Sequence, residues 1–125
     1  MIDHLDHLVL TTRDLDACVD FYTRVLGMTR ETFGAGRVAL RFGNQKINLH
    51  VQGKEIDPKA DVPMPGSLDL CFIATVPLAE VQRRLRAHAI AIVEGPVTRT
   101  GAVGPIRSVY VRDPDRNLVE IAVYG

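Results

Sequence analysis

The run HLVLTTRDLDACVDFYTRVLGM, residues 7–28, decides the fold, because it joins a strand pattern directly to a helix pattern. It begins within a stretch rich in β-forming residues, 5–12, which predicts a short strand. From Asp14 to Leu26 apolar residues recur every three or four positions, which predicts a helix. Asp14 suits the helix N-cap, and Gly27 stands where a helix-ending glycine belongs. The chain therefore opens with a strand followed by a helix.

The same order of elements recurs in the second half of the chain. Glycine-containing turns separate three strand candidates after the first helix, at 28–34, 36–43 and 45–52. After a stretch rich in proline and glycine, the pattern predicts a strand at 68–75, a helix from Pro77 to His88, and strands at 90–94, 106–112 and 117–124. Adding 63 to three apolar positions of the first helix (Leu15, Cys18, Tyr22) gives those of the second (Leu78, Val81, Leu85).

This repeat predicts an α+β fold made of two βαβββ modules. Module 1 covers about residues 1–53, a linker 54–66, and module 2 about residues 67–125. Because a half of about 55 residues is too small to be stable alone, we expect one domain, residues 1–125. Each helix can cover one sheet face only, so the other faces should curl toward each other. The expected result is a partly open mixed β barrel with a central cavity.

Composition excludes several function classes. Basic and acidic residues are equal at 15 each, without the basic excess of a nucleic-acid binder. No apolar run reaches the roughly 18 residues that suggest a membrane span, and no signal-peptide pattern opens the chain, so we expect a cytoplasmic protein. Cys18 and Cys71 are far apart and flanked by apolar residues, which predicts buried free thiols.

Two polar residues stand out on strands. Glu120 interrupts an otherwise apolar last strand, where a carboxylate is costly unless it is paired, protonated or metal-bound. His7 lies in the first strand and shares a face with Val9 and Thr11. The runs Gly95-Pro96 and Gly101-Ala-Val-Gly-Pro105 predict a flexible loop over the cavity, where an arginine such as Arg99 could bind an anionic substrate.

Residues 7–28 closely resemble the opening of glyoxalase I and its relatives, a strand histidine followed by a helix ending in Leu-Gly-Met. The run DPDRNLVE, residues 113–120, resembles the closing strand of the same proteins. On these motifs and the repeat between them, the chain is identified as resembling the vicinal oxygen chelate superfamily, in its branch of short glyoxalase-domain and virulence proteins. The resemblance implies that His7 and Glu120 are metal-site residues.

The family usually takes two further ligands, one from the fourth and one from the fifth strand. On the fourth strand register favours Asn48, whereas ligand chemistry favours His50, because imidazole binds Zn, Ni or Fe far better than a carboxamide. On the fifth strand Asp69 stands where glyoxalase I has a histidine. Asp69 can be a ligand, a general base or the partner of an arginine. The predicted metal set is His7, His50, Asp69 and Glu120.

The implied function is that of a glyoxalase-like lyase or isomerase, with a divalent metal (Zn, Ni, Mn, Co or Fe) and Glu120 or Asp69 as the base. Its substrate would be a small molecule with vicinal oxygens, and by resemblance the protein would be a homodimer. Two alternatives stay open. One is a non-haem iron extradiol-type dioxygenase, which needs two histidines and one carboxylate. The other is a metal-free protein that binds a small molecule such as a drug.

Overall fold

A strand, a helix and three further strands occur in that order twice along the chain. The computed structural model describes residues 1–125 and divides them into two units, Met1–Ser67 and Leu68–Gly125. Each unit contains one four-stranded sheet of mixed direction. The predicted α+β class and the two βαβββ modules are confirmed, and neither sheet closes on itself. That the two modules make one domain stays a prediction.

The first unit follows the predicted order closely. Its elements are β1 (His7–Thr12), α1 (Leu15–Asp20) with a π-helical turn (Phe21–Val25), β2 (Thr29–Phe33), β3 (Arg37–Phe42) and β4 (Gln45–Val51). The strand order is β1-β4-β3-β2, with β1 and β4 parallel and the other pairs antiparallel. The first and last strands of the module are therefore neighbours in its sheet.

Helix α1 begins as its sequence predicts. An oxygen of the Asp14 carboxylate accepts a hydrogen bond from the Ala17 backbone N–H at 3.1 Å, which satisfies one of the free N–H groups at the helix start. The predicted helix over 14–26 is one α-helical and one π-helical segment, a widening that its periodicity did not indicate. Cys18 and Tyr22, both fully buried, anchor the apolar side of these segments.

The second unit repeats the arrangement. Its elements are β5 (Asp69–Ile73), α2 (Leu78–Ala87), β6 (Glu94–Thr100), β7 (Pro105–Arg112) and β8 (Leu118–Tyr124). The strand order is β5-β8-β7-β6, with β5 and β8 parallel. Helix α2 contacts β7 and β8 and buries Val81 and Leu85, the two positions that the repeat predicts from Cys18 and Tyr22. Neither α1 nor α2 is long and apolar enough to cross a membrane.

Two predictions for residues 90–105 are wrong. The sixth strand covers Glu94–Thr100 rather than 90–94, and the first half of the expected flexible loop, 95–100, belongs to this strand. The strand predicted at 106–112 is confirmed as β7. Gly95 and Pro96 suggested a loop. However, β6 is an edge strand, where the N–H that proline lacks costs no sheet hydrogen bond. The pairing register of β6 with β7 shifts between Glu94 and Val97, so Gly95 and Pro96 lie at a bulge-like irregularity of the strand.

The turn before β8 is held by its own polar side chains. One Asp113 oxygen accepts hydrogen bonds from the backbone N–H groups of Asp115 and Asn117, at 2.9 Å each. The Asn117 side chain in turn accepts from the Leu68 N–H at 2.9 Å, which ties the turn to the residue before β5. This network fixes the start of the strand that carries Glu120.

Candidate functional site

In the first unit the two faces of the sheet differ sharply in chemistry. One face carries apolar side chains, among them the buried Leu10, Leu40 and Ile47. The opposite face carries most of the polar side chains. It includes His7 and Thr11 of β1, Lys46, Asn48 and His50 of β4, Arg37 and Arg41 of β3, and Glu31 of β2. We call this surface the polar face of the first sheet.

The register of β1 and β4 places the two fourth-strand candidates differently. Asn48 lies beside Val9, two residues along from His7, whereas His50 lies beside Thr11. His7 and His50 therefore share a face but stand four residues apart, roughly 13 Å along the strands. The structure does not bring these two histidines together. Asn48 is the fourth-strand candidate next along the face from His7.

Buried polar atoms without hydrogen-bond partners mark this face. They are Asn48 Oδ1, His50 Nδ1 and Arg37 Nε. Burial, followed by the charge of Arg37, lowers the pKa of the His50 imidazole. His50 is therefore neutral near pH 7 and keeps a nitrogen available to a ligand. Sequence patterns did not single out Arg37. Its place on a strand beside apolar Val38 was the one available sign.

His7 lies at the exposed start of β1, and its side chain is 44% exposed. Its Nδ1–H donates to Oδ2 of Asp6 at 2.7 Å, and this hydrogen bond is the main cause that lowers the pKa of the Asp6 carboxyl. Bonding at Nδ1 leaves Nε2 free. Metal-binding histidines in proteins are commonly oriented by a carboxylate in this way.

In the second unit Glu120 stands within a cluster of polar side chains. Oγ of Ser108 donates to Oε2 of Glu120 at 2.5 Å across β7 and β8. Cys71 lies directly beside Glu120 on β5, and its thiol is hydrogen-bonded to the carboxylate. Partial desolvation by the surrounding protein, followed by the charge of Glu120, raises the pKa of Cys71 to about 11, so the thiol stays protonated near pH 7 although the residue is exposed.

Cys71 departs from the sequence expectation. Both cysteines are free, as predicted, but only Cys18 is buried, and Cys71 is exposed. The flanking Leu70 and Phe72 point to the opposite face of β5, so apolar neighbours in sequence did not imply burial. Ser108 and Cys71 were both missed as neighbours of Glu120, because only the strand pairing shows that they adjoin it.

Asp69 shares the face of Glu120 at a diagonal position, since Asp69 pairs with Leu118 and Glu120 with Cys71. It is exposed, and no hydrogen bond or ion pair holds its carboxylate. Tyr110 pairs with Glu120 from the other side, and its hydroxyl accepts a hydrogen bond from Arg99 Nε at 3.0 Å. Arg99 also forms an ion pair with Glu94 at 3.4 Å, so Arg99 belongs to a strand network rather than to a loop.

The predicted ligands fit a divalent metal by type, and each unit supplies two of them. No three His, Cys, Asp or Glu side chains lie close enough together to hold a metal ion. The first unit supplies His7 and His50, and the second supplies Asp69 and Glu120. His7, oriented by Asp6, and Glu120, held by Ser108, have the donor chemistry and second-layer hydrogen bonds that metal ligands require.

A family model and two relatives match nearly the whole chain. Residues 4–121 match the family model described as "Glyoxalase/Bleomycin resistance protein/Dioxygenase superfamily". A glyoxalase domain-containing protein of Mycosarcoma maydis is 62% identical over 120 residues, which cover 96% of this chain and 68% of that protein. A virulence protein of Salmonella typhimurium is 54% identical over 124 residues, covering 99% of this chain and 86% of that protein.

Solved structures extend this result. The crystal structure of the Salmonella virulence protein has a TM-score of 0.98, covering 100% of this chain and 99% of that one. A lactoylglutathione lyase from Agrobacterium tumefaciens is 25% identical with a TM-score of 0.76, covering 98% of this chain and 95% of that one. An antibiotic binding protein from Streptomyces, 18% identical with a TM-score of 0.78 over 99% of this chain and 98% of that one, shares the fold alone.

Proposed function

The chain belongs to the glyoxalase/bleomycin resistance protein/dioxygenase superfamily, and we propose that it is a metal-dependent lyase or isomerase of the glyoxalase type. Its substrate would be a small molecule that carries two neighbouring oxygens. One observation supports this proposal most. The Glu120 carboxylate is kept on an apolar strand, where a hydroxyl and a thiol hold it. A half-buried carboxylate that two donors hold in one orientation is suited to taking up a proton or binding a metal ion.

The proposed ligands are His7, Asp69 and Glu120, with the fourth-strand position filled by His50, which has the better ligand chemistry, or by Asn48, which the register places nearer to His7. A divalent ion (Zn, Ni, Mn, Co or Fe) bound by such donors would act as a Lewis acid toward the substrate's two oxygens. His7 would ligate through Nε2, because Nδ1 is bonded to Asp6. Asp6 would keep the imidazole oriented.

Glu120 is the proposed base. An oxygen of its carboxylate would take the proton from one of the two oxygen-bearing carbons of the substrate and return it to the other. Ser108 would hold the carboxylate in position through the 2.5 Å hydrogen bond. Cys71, protonated near pH 7, would act as a hydrogen-bond donor rather than as a nucleophile. Asp69, diagonal to Glu120 on the same face, is the alternative base.

Two further properties belong to this proposal. We expect a homodimer in the cytoplasm, since chains of two such modules commonly pair in this superfamily. The partner of the protein would be a small molecule. Balanced charge, at 15 basic and 15 acidic residues, gives no reason to expect nucleic acid.

Metal-free binding of a small molecule is the second candidate function. It is favoured by the unpaired buried atoms of Asn48 and His50, which offer hydrogen bonds to a ligand without any metal. The Streptomyces antibiotic binding protein has the same fold. The dioxygenase alternative is less well supported, because position 69 is an aspartate and the two histidines of the first sheet stand four residues apart.

Metal binding by the Glu120→Gln variant tests the proposed function. Glutamine keeps the shape and the hydrogen bond from Ser108 but loses the charge, so metal affinity should fall by at least roughly 10–100-fold in equilibrium dialysis. Glu80→Gln is the matched control, because Glu80 is paired with Arg83 on helix α2 and lies off both sheets. Unchanged metal affinity in Glu120→Gln would refute the site.

A further inference from the structure

Three polar atoms without partners on the polar face of the first sheet point to a ligand. Arg37 Nε, Asn48 Oδ1 and His50 Nδ1 are all buried and lack hydrogen bonds. Asn48 and His50 are each only 5% exposed, so solvent around the protein does not compensate them. Buried polar groups in folded proteins are nearly always paired. Three unpaired atoms on one face are therefore best explained as contacts for another molecule.

Strand register brings these three residues together. Val38 on β3 pairs with Leu49 on β4. Because these strands are antiparallel, Arg37 and His50 are the next residues to stand opposite each other. Asn48 pairs with Ala39 and lies two residues before His50 on the same face. The influence of the Arg37 charge on the pKa of His50 agrees with this proximity.

The charge of Arg37 is not neutralised by the protein. Arg37 forms no ion pair, and its guanidinium lies over the Phe33 ring, with 4.8 Å from Cζ to the ring centre. Lys46 approaches the same ring at 3.8 Å and adds a second positive charge. Arg41, on the same face of the same strand, is by contrast bonded to Glu31 at 2.6 Å. Glu55, the acid whose charge acts on His50, accepts a hydrogen bond from the Gly53 N–H at 3.0 Å.

We propose that Arg37, His50 and Asn48 bind the carboxylate and hydroxyl groups of a small hydroxycarboxylate. The Nε–H of Arg37 would donate to the carboxylate, and His50 Nδ1 would donate to it in its Nδ1–H tautomer. Asn48 Oδ1 is an acceptor, so it requires a donor on the ligand, which a hydroxyl group supplies. The inference names the substrate class for the proposed function and rests on that function in this respect. The binding itself needs no metal.

The test uses chelator-treated protein with ¹⁵N-labelled histidines, titrated with glycolate, 3-hydroxypropanoate and propionate. We expect the His50 imidazole signals to shift while those of His88, at the end of helix α2, do not. At least one hydroxy acid should bind roughly tenfold more tightly than propionate, because propionate leaves Asn48 unpaired. This comparison needs no variant and therefore does not depend on any variant folding.

Matched variants assign the contacts. Arg37→Met should weaken binding of the hydroxy acid roughly tenfold or more, and Asn48→Leu should remove its advantage over propionate. Arg41→Met is the control and should bind like the wild type, since Arg41 is already paired. Circular dichroism of each variant would show that it is folded.

Three results would overturn the inference. These are no His50 shift with any of the acids, equal weakening by Arg37→Met and Arg41→Met, or binding that appears only after metal is restored. In the last case the carboxylate would sit on the metal and not on Arg37. Because the titration is done without metal and the Glu120→Gln test measures metal alone, failure of one does not imply failure of the other.

Discussion

At the scale of single residues, the pKa of the Cys71 thiol depends on the charge of Glu120. The two side chains are neighbours on β5 and β8, and the carboxylate contributes to raising the pKa of the thiol to about 11 from the ordinary 9.0. The thiol is exposed, so a small alkylating reagent can reach it. Its reactivity is therefore limited by ionisation rather than by access.

We predict slow alkylation of Cys71 by iodoacetamide near pH 8, with the rate rising until about pH 11. Because ionisation falls tenfold per pH unit below the pKa, the thiolate fraction near pH 8 should be roughly a hundredfold lower than for an ordinary thiol. In Glu120→Gln the pKa should fall and the rate near pH 8 should rise, although partial desolvation, the larger cause, remains. Mass spectrometry of the digested protein would measure the rate at each cysteine.

Cys18 is the internal control for this measurement. It is fully buried and should stay unmodified in the folded protein at every pH tested. If Cys71 reacted near pH 8 as fast as an ordinary thiol, or if Glu120→Gln left its rate unchanged, Glu120 would not be the neighbour that the strand register indicates.

Some residues of the candidate site could be predicted from the sequence, and others could not. Glu120 and His7 stand out because a charged or polar group on a strand carries an energetic cost that is visible in the sequence. The sequence alone does not single out Arg37, Ser108 or Cys71 as site residues. Their importance depends on which strands are neighbours and in what register, and that is a property of the folded sheet.

At the scale of elements, strand β6 depends on Gly95. This glycine has a φ of +107°, and a β-carbon at its position would overlap the backbone of Ser108 on β7. The close approach lets the irregular start of β6 remain paired with the strand that carries the hydroxyl donor to Glu120.

We predict that Gly95→Ala destabilises the protein by roughly 3 kcal/mol or more, from backbone strain together with the clash. Gly36→Ala is the matched control. Gly36 also has a positive φ, +78°, but has open space around its α-carbon. It should cost only about 1 kcal/mol. Urea unfolding of both variants would measure the difference, and equal losses would mean that β6 does not approach Ser108 as described.

Helix boundaries and core positions could be predicted from the sequence where neighbouring residues determine them. Asp14 starts α1 as a cap, and the apolar repeat places Val81 and Leu85 in the core. Strand β6 was misplaced because Gly95 and Pro96 indicate a loop unless the strand is known to lie at an edge. Edge position is decided by pairing between distant residues, which a local pattern does not contain.

At the scale of the whole molecule, the resemblance carried by residues 7–28 and 113–120 is confirmed, since the family model spans residues 4–121. The two motifs lie in different units, at the first strand of one and the last strand of the other. A local motif search therefore identifies the family but not the ligand set. His50 or Asn48, the role of Asp69 and the homodimer stay predictions.

If this chain is a metalloenzyme, the purified wild-type protein should contain a metal ion, and elemental analysis measures this. Protein purified without an affinity tag or a chelator would be measured by inductively coupled plasma mass spectrometry. We expect about one Ni, Zn, Co or Mn per chain, whereas about one Fe would favour the dioxygenase. Protein that contains no metal, and takes up none on reconstitution, would contradict the metalloenzyme proposal and leave metal-free ligand binding as the function.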